Sequence, residues 1–106
     1  MKKQCIKLSI AGLFLGLLSV NLMARNHLHF RSDGTFKIVQ FTDIHYKVGS
    51  EPSEKVPPFM EEILDSETPD LVVLTGDIIT SKPAAEGWRS IIQPMVDRNI
   101  PWTVTL

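Results

Sequence analysis

The longest apolar run in the chain, residues 8–24, carries no charge and follows Lys2, Lys3 and Lys7. A short basic region ahead of an apolar stretch is the layout of a secretory signal peptide. Ala24 is the best residue before a cut, although Leu22 two positions upstream is bulkier than that site prefers. The run also approaches the lower limit of about 17 residues for a membrane-spanning helix, so an uncleaved N-terminal anchor is the competing reading. The pattern then changes to a polar lead-in, residues 25–35, ending in the turn-forming triplet Ser32-Asp33-Gly34.

Beyond that turn the periodicity alternates between strand and helix. Residues 36–42 are rich in aromatic and β-branched types and predict a strand; Val39, Phe41 and Asp43 share one of its faces, which His45 continues if the chain stays extended. A Gly-, Ser- and Pro-containing loop is expected from Val48 to about Pro57. Val56, Phe59, Met60, Ile63 and Leu64 then follow the spacing of one helix face, with the prolines in the first turn, where a missing N–H costs little, and an end near Ser66. Leu71-Val72-Val73-Leu74 predicts a strand buried on both faces, closed by Gly76, where the backbone turns sharply. A second helix is expected from about Pro83, with Trp88, Ile91, Ile92, Met95 and Val96 as a core-packing stripe, a kink at Pro94 and a stop at Asn99. Residues 102–106 begin a third strand.

The order β-α-β-α-β predicts an α/β unit with a parallel sheet, and 106 residues hold at most one domain. The boundaries that follow are a leader at 1–24, a lead-in at 25–35 and a domain portion at 36–106. Cys5, the single cysteine, lies ahead of the apolar run, so an internal disulfide and a cysteine-based zinc site are both excluded. Charge changes the picture once the leader is set aside. Three of the eleven basic residues go with it and none of the twelve acids, leaving eight against twelve, a net charge of −4. No basic face for nucleic acid is expected from that balance.

Right-handed crossovers place the C-terminal ends of parallel strands along one edge, where open α/β sheets bind ligands. Asp43 and His45 follow the first strand, and Asp77 follows the second, 34 residues after Asp43. Two residues apart on an extended chain is a rise of roughly 6.6 Å with both side chains on one face, so a carboxylate and an imidazole can reach one cation. Asp77 has two carboxylate oxygens, enough to serve two cations about 3.5–4 Å apart. Mixed nitrogen and oxygen donors suit zinc, iron or manganese rather than calcium. Asp-x-His alone is commonly a turn cap beside an incidental histidine, and Gly-Asp alone commonly a turn; on adjacent strand ends, together, they describe a metal site. His27 and His29 also alternate, but so near the mature N-terminus they read as solvated. Tyr46, beside the site, is left between substrate contact and packing.

The segment Phe36-Lys37-Ile38-Val39-Gln40-Phe41-Thr42-Asp43-Ile44-His45 resembles the first signature of the calcineurin-like metallophosphoesterases, a strand ending in Asp-x-His. Pro69-Asp70-Leu71-Val72-Val73-Leu74-Thr75-Gly76-Asp77 is similar to their second, an apolar strand running into Gly-Asp. The stretch from Ile100 to Leu106 is similar to the strand before their third, Gly-Asn-His-Asp/Glu, and the sequence stops there. The resemblance implies the parallel-sheet portion of a four-layer α/β sandwich, truncated, and two divalent or trivalent ions (Fe, Zn or Mn). Asp43 and His45 would bind the first ion and Asp77 would bridge both. The asparagine, the leaving-group histidine and the later histidines of the pattern have no counterpart, so no catalytic residue is assigned. Thr80 stands where the purple acid phosphatase branch has its iron-binding tyrosine, and His45 where that branch usually has glycine, which implies a colourless relative.

The resulting expectation is an exported, periplasmic, secreted or envelope metallophosphoesterase that hydrolyses small-molecule phosphate esters, touching a membrane only through an uncleaved leader. The alternative is a truncated, non-catalytic fragment with at most one weak metal site. A metal-free nucleotide-binding domain lacks the Gly-rich loop it would need after the first strand.

Overall fold

The computed structural model describes residues 28–105. The expected leader with Cys5, His27, and the end of the last strand at Leu106 lie outside the described residues. Six elements follow in order: β1 (Ile38–Thr42), α1 (Glu51–Glu54), α2 (Val56–Glu67), β2 (Leu71–Thr75), α3 (Ala84–Asp97) and β3 (Trp102–Val104). The three strands form one parallel sheet in the order β1-β2-β3, with Val39 beside Val72, Phe41 beside Leu74 and Leu74 beside Val104. This is the parallel α/β arrangement that the sequence pattern predicts.

Sequential strands joined by crossovers of one hand put both long helices on one face of the sheet. There Val72 and Leu74 meet Met60 and Leu64 of α2 and Ile91 and Met95 of α3, all at most 1% exposed. Burying each such side chain contributes about 1.5–3 kcal/mol. The expectation that β2 is buried on both faces is corrected: Leu71 and Val73 are only half-buried, and Ile38 beside Leu71 is 54% exposed. No described element covers that second face.

The helix stripes are narrower than the spacing suggests. Met60 and Leu64 centre the buried stripe of α2, and Phe59, a residue-step of about 100° away, falls on its flank and is exposed. Val96 leaves the core of α3 for the same reason, while Gly87 and Pro94 enter it. The helix continues through Pro94 to Asp97, and the chain turns at left-handed Asn99. Gly87 matters for the site: a Cβ there would lie 2.8 Å from Ile79, so glycine lets α3 close onto the segment after β2. Arg98 ties the helices at their far end, its guanidinium on both carboxylate oxygens of Asp65 at 2.6 and 3.0 Å.

Two segments read as loose are tied down. The predicted loop after Val48 contains α1, with Pro52 in its first turn, and Ser53 is buried with its Oγ accepting the Lys47 N–H at 3.0 Å. The lead-in is fixed by Arg31, which donates to Asp70 at 2.8 Å and to the Thr68 carbonyl at 2.7 Å. Phe30 and Phe36 pack edge to face at 5.9 Å. The turn at Gly34 is held by Asp33, which accepts from both the N–H and the hydroxyl of Thr35.

Candidate metal centre

Strand β1 ends at Thr42, and the residues after it are not extended. Asp43 and His45 adopt left-handed backbone with φ of 50° and 53°, which corrects the expectation that both simply continue one strand face. Left-handed backbone costs a non-glycine residue about 1–2 kcal/mol. Aspartate and histidine are among the residues that tolerate it best. The conformation is held from the neighbouring segment: Asp43 N–H donates to the Thr75 carbonyl, His45 N–H to the Asp77 carbonyl and Tyr46 N–H to the Ile78 carbonyl, at 3.1, 3.0 and 2.8 Å. Tyr46 and Ile79 extend the pairing as an isolated parallel bridge.

This pairing makes a platform of the two segments. Tyr46 and Ile78 are 6% and 3% exposed and belong to the core, which decides the reading left open for Tyr46 in favour of packing. Above them Asp43, His45 and Asp77 are all exposed, and one ligand atom of each lies within 4.8 Å of the other two. Three donors about 2.0–2.2 Å from a common ion lie roughly 3–4 Å from one another. Side-chain rotations moving these atoms by up to about an ångström would therefore close the three around one cation. A carboxylate, an imidazole and a second carboxylate form a donor set suited to zinc, iron or manganese.

The structure also makes room for that set. Gly76 has a φ of +70°, and a Cβ placed on it would collide with the Asp43 carboxylate. The same carboxylate accepts the Thr42 hydroxyl at 2.8 Å and the Asp77 N–H at 3.2 Å. Those two bonds, the hydroxyl foremost, and the nearby His45 ring hold the Asp43 carboxyl below its usual acidity range. Thr42 escaped sequence reasoning because an exposed threonine closing a strand is ordinary; its place directly before an aspartate was the available signal. His29 is not part of this cluster. It lies at the other end of the sheet, where its charge acts on Asp70.

The sequence profile described as calcineurin-like phosphoesterase matches residues 36–106. Among curated proteins, the chain is 35% identical to "Probable inactive purple acid phosphatase 28" of Arabidopsis thaliana, over 74% of this chain and 24% of that protein. It is 30% identical to "Probable inactive purple acid phosphatase 14" of the same plant, over 93% of this chain and 30% of that protein. To "Phosphatase DCR2" of Saccharomyces cerevisiae it is 31% identical, over 86% of this chain and 18% of that protein. The chain thus spans less than a third of the length of each of these relatives. No solved structure matches it. A profile match over most of the chain, carried by strands that end in the apposed Asp43, His45 and Asp77, shows that the chain belongs to the calcineurin-like phosphoesterase family.

Proposed function

We propose that the protein hydrolyses phosphate esters of small molecules outside the cytoplasm, at a two-metal site to which this chain contributes Asp43, His45 and Asp77. The observation that carries the reading is the convergence of these three side chains at the C-terminal edge of a parallel sheet, with Gly76 leaving space for the Asp43 carboxylate. Bound there, divalent or trivalent ions supply Lewis acidity toward the phosphoryl oxygens. Asp43 and His45 would hold the first ion, and Asp77, which has two oxygens to offer, would be available to either. The backbone pairing of the two segments fixes the three residues relative to one another. The extracytoplasmic location rests on the basic and apolar leader, and fractionation with N-terminal sequencing of the mature chain tests it.

A second reading is favoured by a specific observation: among the described residues, only this one group of three could hold an ion. Two of the plant relatives also carry "inactive" in their names. On this reading the 106-residue chain is a non-catalytic piece with a single weak site. Elemental analysis of the purified chain, with turnover of a chromogenic phosphate monoester in added manganese or zinc, separates the two. Two ions per chain with turnover supports the first reading, and one weakly held ion without turnover supports the second. A chain that binds no ion, and whose Asp77→Ala variant is indistinguishable from it, sinks both.

A further inference from the structure

We infer that Thr42 is a positioning residue whose hydroxyl sets the metal-binding orientation of Asp43. The inference rests on the proposed metal-holding role of the triad and extends it to a residue that touches no ion. Strand alternation puts Thr42 on the face opposite Phe41, the face no described element covers. Had the chain stayed extended, Asp43 would share the core face with Phe41 and lie beyond reach of that hydroxyl. The left-handed turn at Asp43, with φ of 50°, brings its Oδ2 to 2.8 Å from the Thr42 Oγ1.

The other oxygen, Oδ1, accepts the Asp77 N–H at 3.2 Å. Each carboxylate oxygen therefore receives one donor from a different segment, and the carboxylate packs so closely on Gly76 that a Cβ there would collide with it. A carboxylate oxygen offers about two acceptor sites, so each keeps one free for a cation shared with the ligand atoms of His45 and Asp77 within 4.8 Å. The hydroxyl is the short member of the pair of bonds. The hydrogen bond from the Asp77 amide also ties the Asp43 carboxylate to the backbone of the residue that carries the third ligand. Ligating carboxylates are commonly oriented by such outer partners, whose loss typically costs about 10–100-fold in metal affinity.

The test compares three chains: wild type, Thr42→Val, which keeps the branched shape and strand preference without the hydroxyl, and Thr42→Ser, which keeps the hydroxyl. Manganese(II) titration calorimetry on each is paired with three-bond couplings that report the Asp43 χ1 rotamer in the absence of metal. The expected result is a loss of about 10-fold or more in manganese affinity for Thr42→Val, with Thr42→Ser within about threefold of wild type. Asp43 is expected in one rotamer in wild type and Thr42→Ser, and averaged in Thr42→Val. The inference is overturned if Thr42→Val binds manganese like wild type, or keeps a single Asp43 rotamer. The couplings need no metal, so a fixed rotamer in wild type with no manganese uptake overturns the metal reading, and this inference with it. An averaged rotamer in wild type overturns the positioning role alone.

Discussion

Asp70 and Asp43 stand at opposite ends of the same pair of strands, and their surroundings differ in kind. At the N-terminal end, Asp70 Oδ2 receives the Arg31 guanidinium and the Lys37 N–H, each at 2.8 Å. A permanent cation and a fixed amide satisfy that carboxylate within the fold. At the C-terminal end, Asp43 receives a hydroxyl and an amide, but its ionisable neighbours are an imidazole, His45, and a second carboxylate, Asp77. No lysine or arginine pairs with either acid there among the described residues. Two acids brought together without a built-in cation are less stable than the same acids apart unless a cation joins them. The contrast separates an aspartate that holds the lead-in from one that is available for a ligand, though both sit at strand ends in similar sequence surroundings.

Replacing the acids one end at a time is the strongest way to break this contrast. Asp43→Ala and Asp77→Ala are each expected to lower metal affinity by more than about 100-fold, beyond the range typical of a supporting residue. Asp77→Ala should not lower the thermal midpoint of the metal-free chain, whereas Asp43→Ala should lower it modestly, because the Asp43 carboxylate accepts the Thr42 hydroxyl and the Asp77 N–H. Asp70→Ala should lower the midpoint and leave metal affinity unchanged. Calorimetric titration and thermal melts on the same preparations check both arms. If Asp70→Ala weakens metal binding as much as Asp77→Ala, the two ends are not independent.

The glycines offer a cleaner pair. Gly76 and Gly34 both have left-handed backbone, with φ of 70° and 82°, but a Cβ on Gly34 meets nothing within 4 Å while one on Gly76 meets the Asp43 carboxylate. Each alanine substitution is expected to lower stability by about 1–2 kcal/mol through the backbone. Only Gly76→Ala should also reduce metal affinity, by about 10-fold or more, as expected when a ligand's support is lost. Equal loss in both variants would mean the pocket around Asp43 is not what Gly76 provides.

These pairs also show what the sequence made legible. The alternation of strand and helix, the parallel order and the edge that gathers Asp43, His45 and Asp77 all follow from periodicity and crossover handedness. What remained hidden depends on three-dimensional closure. Positive φ at Asp43 and His45 is imposed by carbonyls of the segment 32 residues away, which no local propensity encodes. Phe59 and Val96 match the helical spacing yet sit on the flanks, because spacing gives a face but not its width. The anchoring of the lead-in needs Arg31 to find Asp70 across 39 residues. Leu71 and Val73 have the composition of a doubly buried strand, and only the observed layers show one face left half-open.

A milder change at the N-terminal end sharpens the electrostatic part of the comparison. The Lys37 amide, and after it Arg31, hold the Asp70 carboxyl below its usual range. A carboxyl depressed in the folded state contributes stability that is present above its unfolded pKa and is lost as pH falls through the folded value. The same sign applies to Asp33, held by Thr35, to Asp65, held by Arg98, and to Glu67, held by Lys37. The thermal midpoint of the metal-free chain is therefore expected to fall as pH drops below about 4, near the unperturbed carboxylate value. Asp70→Asn should lower the midpoint by a few degrees at neutral pH and flatten that acid slope, with metal affinity at neutral pH unchanged. An unaltered slope would remove Asp70 from the acid response.

The smallest expected effect lies in the ion pair beside Asp70. Lys37 Nζ and Glu67 Oε2 are 2.6 Å apart, but their side chains are 42% and 48% exposed. Solvent and salt screen such a pair, and ordering two long side chains offsets much of the attraction, so exposed pairs contribute little that can be measured. The bond that matters to Asp70 comes from the Lys37 main chain, which every substitution except proline preserves. Lys37→Met is accordingly expected to leave both the thermal midpoint and metal affinity within error, and any residual difference should vanish in about 1 M salt. A drop matching that of Asp70→Asn would show that side-chain charge, rather than a backbone amide, secures this end of the sheet. The distinction between the two ends would then rest on the number of cations alone.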